Sequence, residues 1–300
     1  MSIPEQSSEQ VGLEDQKPDS GFVALLDVLG FGSMTEQRRS QVAAALEHSV
    51  DSLLPKLSEL MPQSSKQRLK EPIVRMFSDT IIIAFPRIQG SSVIQDIFHF
   101  VNDYLGMLYC LLLSDRVLLR GAVGYGTIIE RKYGIYGTAV LDAQDEYEAT
   151  SWAGIHFTVA ATSFIAKWHD RAKKHEVTDT RVLPGTGHNI NQTQFYVSIV
   201  PFKAPHKFSC DVSPTLVNQR FIVPWPKDFR SVIESEHIIA QRLLTTYTRI
   251  HEAMDDEYEH GSERVREIIT NTLCFAEAYL SRFPEVNKPL NWEGPLPPMS

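Results

Sequence analysis

FVALLDVLGFGSM, residues 22–34, is the stretch on which the fold turns. Residues 22–26 carry no polar side chain, as suits a buried strand, yet Asp27 stands near the end of the run. A carboxylate is costly to bury unless a cation or hydrogen-bond donors meet it, so the stretch calls for a partner elsewhere in the chain.

Leu29, Gly30, Phe31 and Gly32 follow as a flexible turn ahead of a helix that is predicted to run to about residue 61. Val42, Leu46, Val50, Leu53, Leu54, Leu57 and Leu60 recur there at helical spacing, with Pro55 expected as a break or kink. Upstream, residues 1–20 are polar and offer almost nothing to bury, which predicts a disordered tail with folding from Gly21 onward.

A second aspartate answers the first. Residues 73–85, IVRMFSDTIIIAF, read as two strands joined by a tight turn at Ser78 and Asp79. If this hairpin neighbours the first strand at the centre of a sheet, the Asp27 and Asp79 carboxylates converge, and a divalent cation is the natural way to hold them together. Hard oxygen ligands select Mg²⁺ or Mn²⁺, and Mg²⁺ usually arrives with substrate phosphates. The amides of the glycine turn can approach a polyphosphate at a helix N-terminus. The plainer alternative is that one aspartate caps the helix and the other makes the turn.

A helix is expected over residues 92–113, followed by the glycine-rich strand VLLRGAVGYGTIIE, the turn RKYGIYG and a helix over residues 138–149. The order strand, helix, strand, strand, helix, strand, helix predicts an α+β sandwich with helices on one face of a mainly antiparallel sheet. Beyond it, HFTVAATSF, FYVSIV and RFIVPW read as strands, residues 234–258 and 262–281 as helices, and the chain closes on a Pro-rich tail. The expected organisation is a tail over 1–20, a catalytic domain over 21–180, an extension over 181–283 packed on it, and a tail over 284–300.

Composition narrows the function. A formal net charge of −8 argues against a nucleic-acid footprint. The three cysteines, Cys110, Cys210 and Cys274, form neither a CxxC pair nor a disulfide framework, which fits a reducing cytoplasm. The N-terminus has no basic segment leading into an apolar one, so a signal peptide is not expected. The longest apolar stretch, residues 104–113, is too short for a membrane span.

ALLDVLGFG and VRMFSDTIIIAF resemble the two metal-binding strands of class III nucleotidyl cyclases, each of which supplies one aspartate to a two-metal centre. LLRGAVGYGTI is similar to that family's third strand, and YGIYGTAVLDA to the segment after it, so the resemblance spans about residues 20–170. It implies a ferredoxin-like βααββαβ core and a homodimer whose sites form between chains. Within the family the chain is most like the pyrimidine cyclases of bacterial antiphage defence, the Pycsar cyclases, in its short layout, its S-D hairpin and its C-terminal extension. That implies cyclisation of UTP, or alternatively CTP, to a 3′,5′-cyclic monophosphate that activates a separately encoded effector. A purine cyclase, a silent nucleotide-binding dimer and, further off, a palm-like polymerase stay open.

By the same resemblance Asp27 and Asp79, with the Val28 carbonyl, bind two ions, Mn²⁺ or Mg²⁺, while Gly30, Phe31 and Gly32 hold the triphosphate. Arg75 stands four residues before the hairpin aspartate, where purine cyclases carry a lysine or glutamate, and is expected to read the base. The family's asparagine and arginine of the following helix align with Leu141 and Asp145, which cannot do their work. Arg131 and Lys132 are the first candidates for the missing cation and Arg120 the second. The histidines form no cluster at metal-ligand spacing.

Overall fold

The computed structural model describes residues 19–60, 70–87, 94–148, 150–174, 181–182, 189–190, 200–202, 220–223, 225 and 263–281. Its centre is the strand the sequence singles out. Strand β1 (Asp19–Val28) is flanked by β3 (Thr80–Arg87) and β4 (Leu119–Arg131), antiparallel to both. β2 (Ile73–Phe77) forms the outer half of a hairpin with β3. β5 (Gly134–Tyr136) turns back on the end of β4, and β6 (Ile155–Phe157) lies parallel to β4 on its other side.

Beyond β6 the sheet continues through β10 (Arg220–Ile222) to β9 (Val200–Phe202), giving the order β2-β3-β1-β4-β6-β10-β9. Two short strands, β7 (Arg181–Val182) and β8 (Asn189–Ile190), pair separately. The helices are α1 (Glu36–Leu60), α2 (Ile94–Ser114), α3 (Thr138–Glu146), α4 (Val159–Lys174) and α5 (Glu263–Ser281).

Alternation along β1 sorts its side chains. Phe22, Ala24, Leu26 and Val28 enter the main core, with Val42, Leu46, Val50 and Leu53 of α1, Phe98, Val101, Tyr104, Leu105, Leu108 and Leu112 of α2, and Ala161 and Ile165 of α4. Val23 faces the other way, into a smaller cluster with Ala84, Ile128, Ile135 and Ala139. Asp27 follows Val23 by four residues, so its carboxylate shares that second face.

The expectation of helices on one face is therefore corrected. α3 packs on the second face, and glycine makes this possible. A Cβ on Gly124 would sit 2.3 Å from the Ala139 carbonyl oxygen and one on Gly126 2.3 Å from Thr138 Oγ1, so α3 rests directly on the backbone of β4. Its first turn is tied down by Thr127 and Thr138, each of whose hydroxyls accepts the other's amide, at 3.1 and 2.9 Å.

Other expectations also change. β1 begins at Asp19, so the polar tail is shorter than residues 1–20, because Asp19 and Ser20 still pair with Ile128 and Thr127 of β4. One helix, α1, lies between β1 and β2 among the described residues, preceded by a short turn at Phe31–Ser33. It runs through Pro55 without breaking, and Val42, Leu46, Val50 and Leu53 anchor it in the core before the proline. The run HFTVAATSF is strand only to Phe157. Thr158 then caps α4, its Oγ1 accepting the Ala161 amide at 3.2 Å, which diverts the chain into helix. The helix expected over 234–258, both tails apart from Asp19 and Ser20, and all of FYVSIV except Val200 lie outside the described residues.

Candidate active site

At the C-terminal end of β1 two elements meet. Asp27 is paired across the ladder with Thr80 on one side and Arg120 on the other. The β2–β3 turn is held against β1 by the Val28 amide, which donates to the Asp79 carbonyl at 3.1 Å. Ser78 adopts a left-handed φ of 57°, which lets the chain reverse within two residues and brings Asp79 back over the strand end. The Asp27 and Asp79 carboxyls come within hydrogen-bonding reach of each other.

The electrostatics of Asp27 follow from this crowding. Burial raises its pKa above the ordinary carboxylate value, the two-pronged bond and the charge of Arg120 pull it down, and the Asp79 carboxyl pushes it up again. Arg120 donates from both Nε and Nη2 to Asp27 Oδ2, at 3.1 and 2.8 Å. The same Nη2 stands 3.6 Å from Glu148 Oε1. The Tyr147 hydroxyl donates to that Glu148 oxygen at 2.9 Å, and its pKa is pushed up to about 12, by burial first and by the neighbouring carboxylates after it.

The two aspartates and Arg120 are thus brought together. Gly30 follows in a left-handed conformation (φ 76°) that opens the short turn of Phe31–Ser33, and a Cβ on Gly32 would meet no atom within 4 Å, so this loop presents open backbone beside Val28. Arg75 is in register with Ile82, which is in register with Leu25, so it shares the face of Asp27 two strands away. Its Nη2 donates to Glu130 Oε1 at 2.9 Å and its Nη1 to the Val74 carbonyl at 2.9 Å.

Arg131 and Lys132 are not part of this group within one chain. They stand at the other end of β4 from Arg120, exposed in the β4–β5 turn, with Lys132 Nζ 4.9 Å from the centre of the Tyr133 ring. Leu141 and Asp145 are exposed on α3.

Several polar residues escaped sequence reading. Glu148 and Tyr147 border Arg120. On α3, Asp142 Oδ2 accepts the Tyr125 amide at 3.1 Å and the Thr158 hydroxyl at 2.5 Å, joining α3 to β4 and to the cap of α4. One turn later Glu146 Oε1 accepts the Val159 amide at 3.2 Å, with Oε2 3.6 Å from the buried His156 Nε2. The signal was available: Asp142 and Glu146 are spaced four apart on one helix face, and Glu146 lies within the run DEYE, residues 145–148.

Among the described residues no group of three or more His, Cys, Asp or Glu side chains is arranged to hold a metal ion. The donor set is two carboxyls, with a backbone carbonyl beside them. That set fits a Mg²⁺-type site, in which one or two carboxylates act together with substrate phosphates. The pressure that Asp79 puts on the Asp27 pKa is the like-charge repulsion a cation would relieve.

No protein-family model and no curated protein matches the chain. Among solved structures the fold is similar to the crystal structure of the adenylyl cyclase CyaB from P. aeruginosa, with 14% sequence identity and a TM-score of 0.38, over 58% of this chain and 92% of that one. No helix among the described residues is long and apolar enough to cross a membrane.

Proposed function

We propose that the protein is a metal-dependent nucleotidyl cyclase that converts UTP to 3′,5′-cyclic UMP and pyrophosphate, with CTP as the alternative substrate. The observation that carries this reading is the convergence of Asp27 and Asp79 at the end of β1, beside the open backbone of Gly30, Phe31 and Gly32. The motif resemblance adds to it, as does the antiparallel order β2-β3-β1-β4, which is the order of a ferredoxin-like core.

In this reading Asp27, Asp79 and the Val28 carbonyl hold two divalent ions, Mn²⁺ or Mg²⁺. Those ions would supply two effects, a lower pKa for the ribose 3′-hydroxyl and neutralisation of the triphosphate. The glycine loop receives phosphate oxygens on its amides. Arg75 leaves Glu130 to donate to a carbonyl edge of the base, and uracil offers two such acceptors.

Arg131 and Lys132 lie at the far end of β4 from Asp27, so they serve the partner's site in a homodimer with two equivalent sites. Phe77, 82% exposed on the edge hairpin, and Leu141, 60% exposed on α3, are apolar surface for such contact. The product is a diffusible messenger for antiphage defence, read by an effector encoded elsewhere. A silent nucleotide-binding dimer is the second reading, favoured by Leu141 and Asp145 where the cyclase family carries asparagine and arginine.

The test is to incubate the protein with Mn²⁺ and each of ATP, GTP, CTP and UTP, and to weigh the products beside an Asp79→Ala control. A cyclic pyrimidine monophosphate from wild type alone supports the proposal. Cyclic AMP or GMP overturns the role of Arg75, and nucleotide binding without any cyclic product favours the silent dimer.

A further inference from the structure

Arg120 has two acceptors for one guanidinium. Its Nε and Nη2 both donate to Asp27 Oδ2, and Glu148 Oε1 waits 3.6 Å from the same Nη2. The side chains of Asp27 and Arg120 are each only 13% exposed, so an ionised Asp27 needs a cation at hand at all times. Glu148 is 55% exposed, so solvent eases its charge as it cannot ease that of Asp27, and its Oε1 accepts the Tyr147 hydroxyl.

We infer that Arg120 is the internal counter-ion of Asp27, which a divalent cation must displace, and that Glu148 takes up the guanidinium when it leaves. The inference rests on the metal reading of Asp27 and Asp79. It deepens that reading in one respect: cation affinity and the freedom of Arg120 become two sides of one exchange. By linkage, whatever stabilises Arg120 on Glu148 tightens cation binding, and whatever keeps it on Asp27 weakens it. Arg120 can then reach a phosphate oxygen only after the cation has bound, so the site acquires its free guanidinium in a fixed order.

The experiment is Mn²⁺ binding without nucleotide, followed by the electron paramagnetic resonance signal of the free ion, for wild type, Arg120→Gln, Glu148→Gln, the double variant and Asp79→Ala. Arg120→Gln is expected to tighten Mn²⁺ binding about tenfold, the scale of one lost competing charge-assisted hydrogen bond. Glu148→Gln is expected to weaken it several-fold in the wild-type background, an effect that vanishes in the Arg120→Gln background.

Equal effects of Glu148→Gln in both backgrounds would show a simple through-space charge effect and overturn the handover. If wild type binds, Asp79→Ala does not, and Arg120→Gln binds no tighter than wild type, the metal reading stands and the counter-ion role falls. If neither wild type nor Arg120→Gln binds, both fall. Should Arg120→Gln fail to fold, Arg120→Lys replaces it: it keeps a cation, loses the forked hold, and is expected to tighten binding by a smaller factor.

Discussion

Asp27 and Arg120 are cross-strand partners in the β1–β4 ladder, joined by two hydrogen bonds to a single carboxylate oxygen. Even so, burial and Asp79 leave the Asp27 pKa above its ordinary value of 3.8. Between that value and the raised one, the folded chain binds more protons than the unfolded chain, so this group's contribution to stability falls as pH rises through the window. Asn at position 27 cannot lose a proton. With chelator present, Asp27→Asn is expected to gain thermal stability relative to wild type between pH 4 and pH 7.5, while losing cation binding. Melting curves at the two pH values check this, and a relative loss at the higher pH would contradict it.

Gly124 carries α3 on its bare backbone. A Cβ there would lie 2.3 Å from the Ala139 oxygen, 2.7 Å from the Ala143 nitrogen and 3.1 Å from Asp142 Oδ2. Two of these are backbone atoms of a helix, which cannot move aside singly. Gly124→Ala is expected to cost about 1–3 kcal/mol by forcing α3 off the sheet, and to lower turnover because Tyr147 and Glu148 follow from the end of α3. Gly32→Ala meets no neighbour and is expected to stay within about 0.5 kcal/mol of wild type. Urea denaturation of the two variants separates the cases.

The parts of this site that were legible in the sequence are those where a polar residue interrupts an apolar strand. Asp27 stood out because it closes a run of buried apolar residues and Asp79 because, with Ser78, it interrupts a longer apolar run, and pairing the two strands then follows from the need to satisfy both. The placement of α3 was not legible. Ala139 and Ala143 announce a packing face but not which side of the sheet it covers, and the deciding residues, Gly124 and Gly126, lie on another element. Thr158 was hidden for a different reason: in a run of small and β-branched residues, one hydroxyl cap switches strand to helix. Glu148 was missed because its meaning depends on Arg120, 28 residues earlier in the chain.

Arg75 separates stability from specificity. Its ion pair with Glu130 is well exposed, at 39% and 50% of the two side chains, and pairs of this kind contribute about 0–1 kcal/mol. Arg75→Ala is therefore expected to melt close to wild type. If Arg75 reads the base, the variant loses discrimination among the four nucleoside triphosphates while keeping its cation binding. Competition between UTP and the other three in one reaction measures this, and an unchanged preference would remove Arg75 from the base site.

Arg131 and Lys132 decide whether the site is shared between chains. Within one chain they lie at the opposite end of β4 from Arg120, so no local motion of their side chains joins them to Asp27. A variant lacking both, Arg131→Ala with Lys132→Ala, and the single variant Asp79→Ala should each be inactive if the groups are complementary. Mixed in equal amounts and allowed to exchange subunits, half the dimers are hybrids. In each hybrid one site combines the two intact halves and the other combines the two defective ones, so about a quarter of wild-type turnover should return. Recovery near that level places the basic turn in the partner's site. No recovery, with hybrid dimers confirmed by native mass spectrometry, would assign both halves to the same chain and send the search for the missing cation back to Arg120.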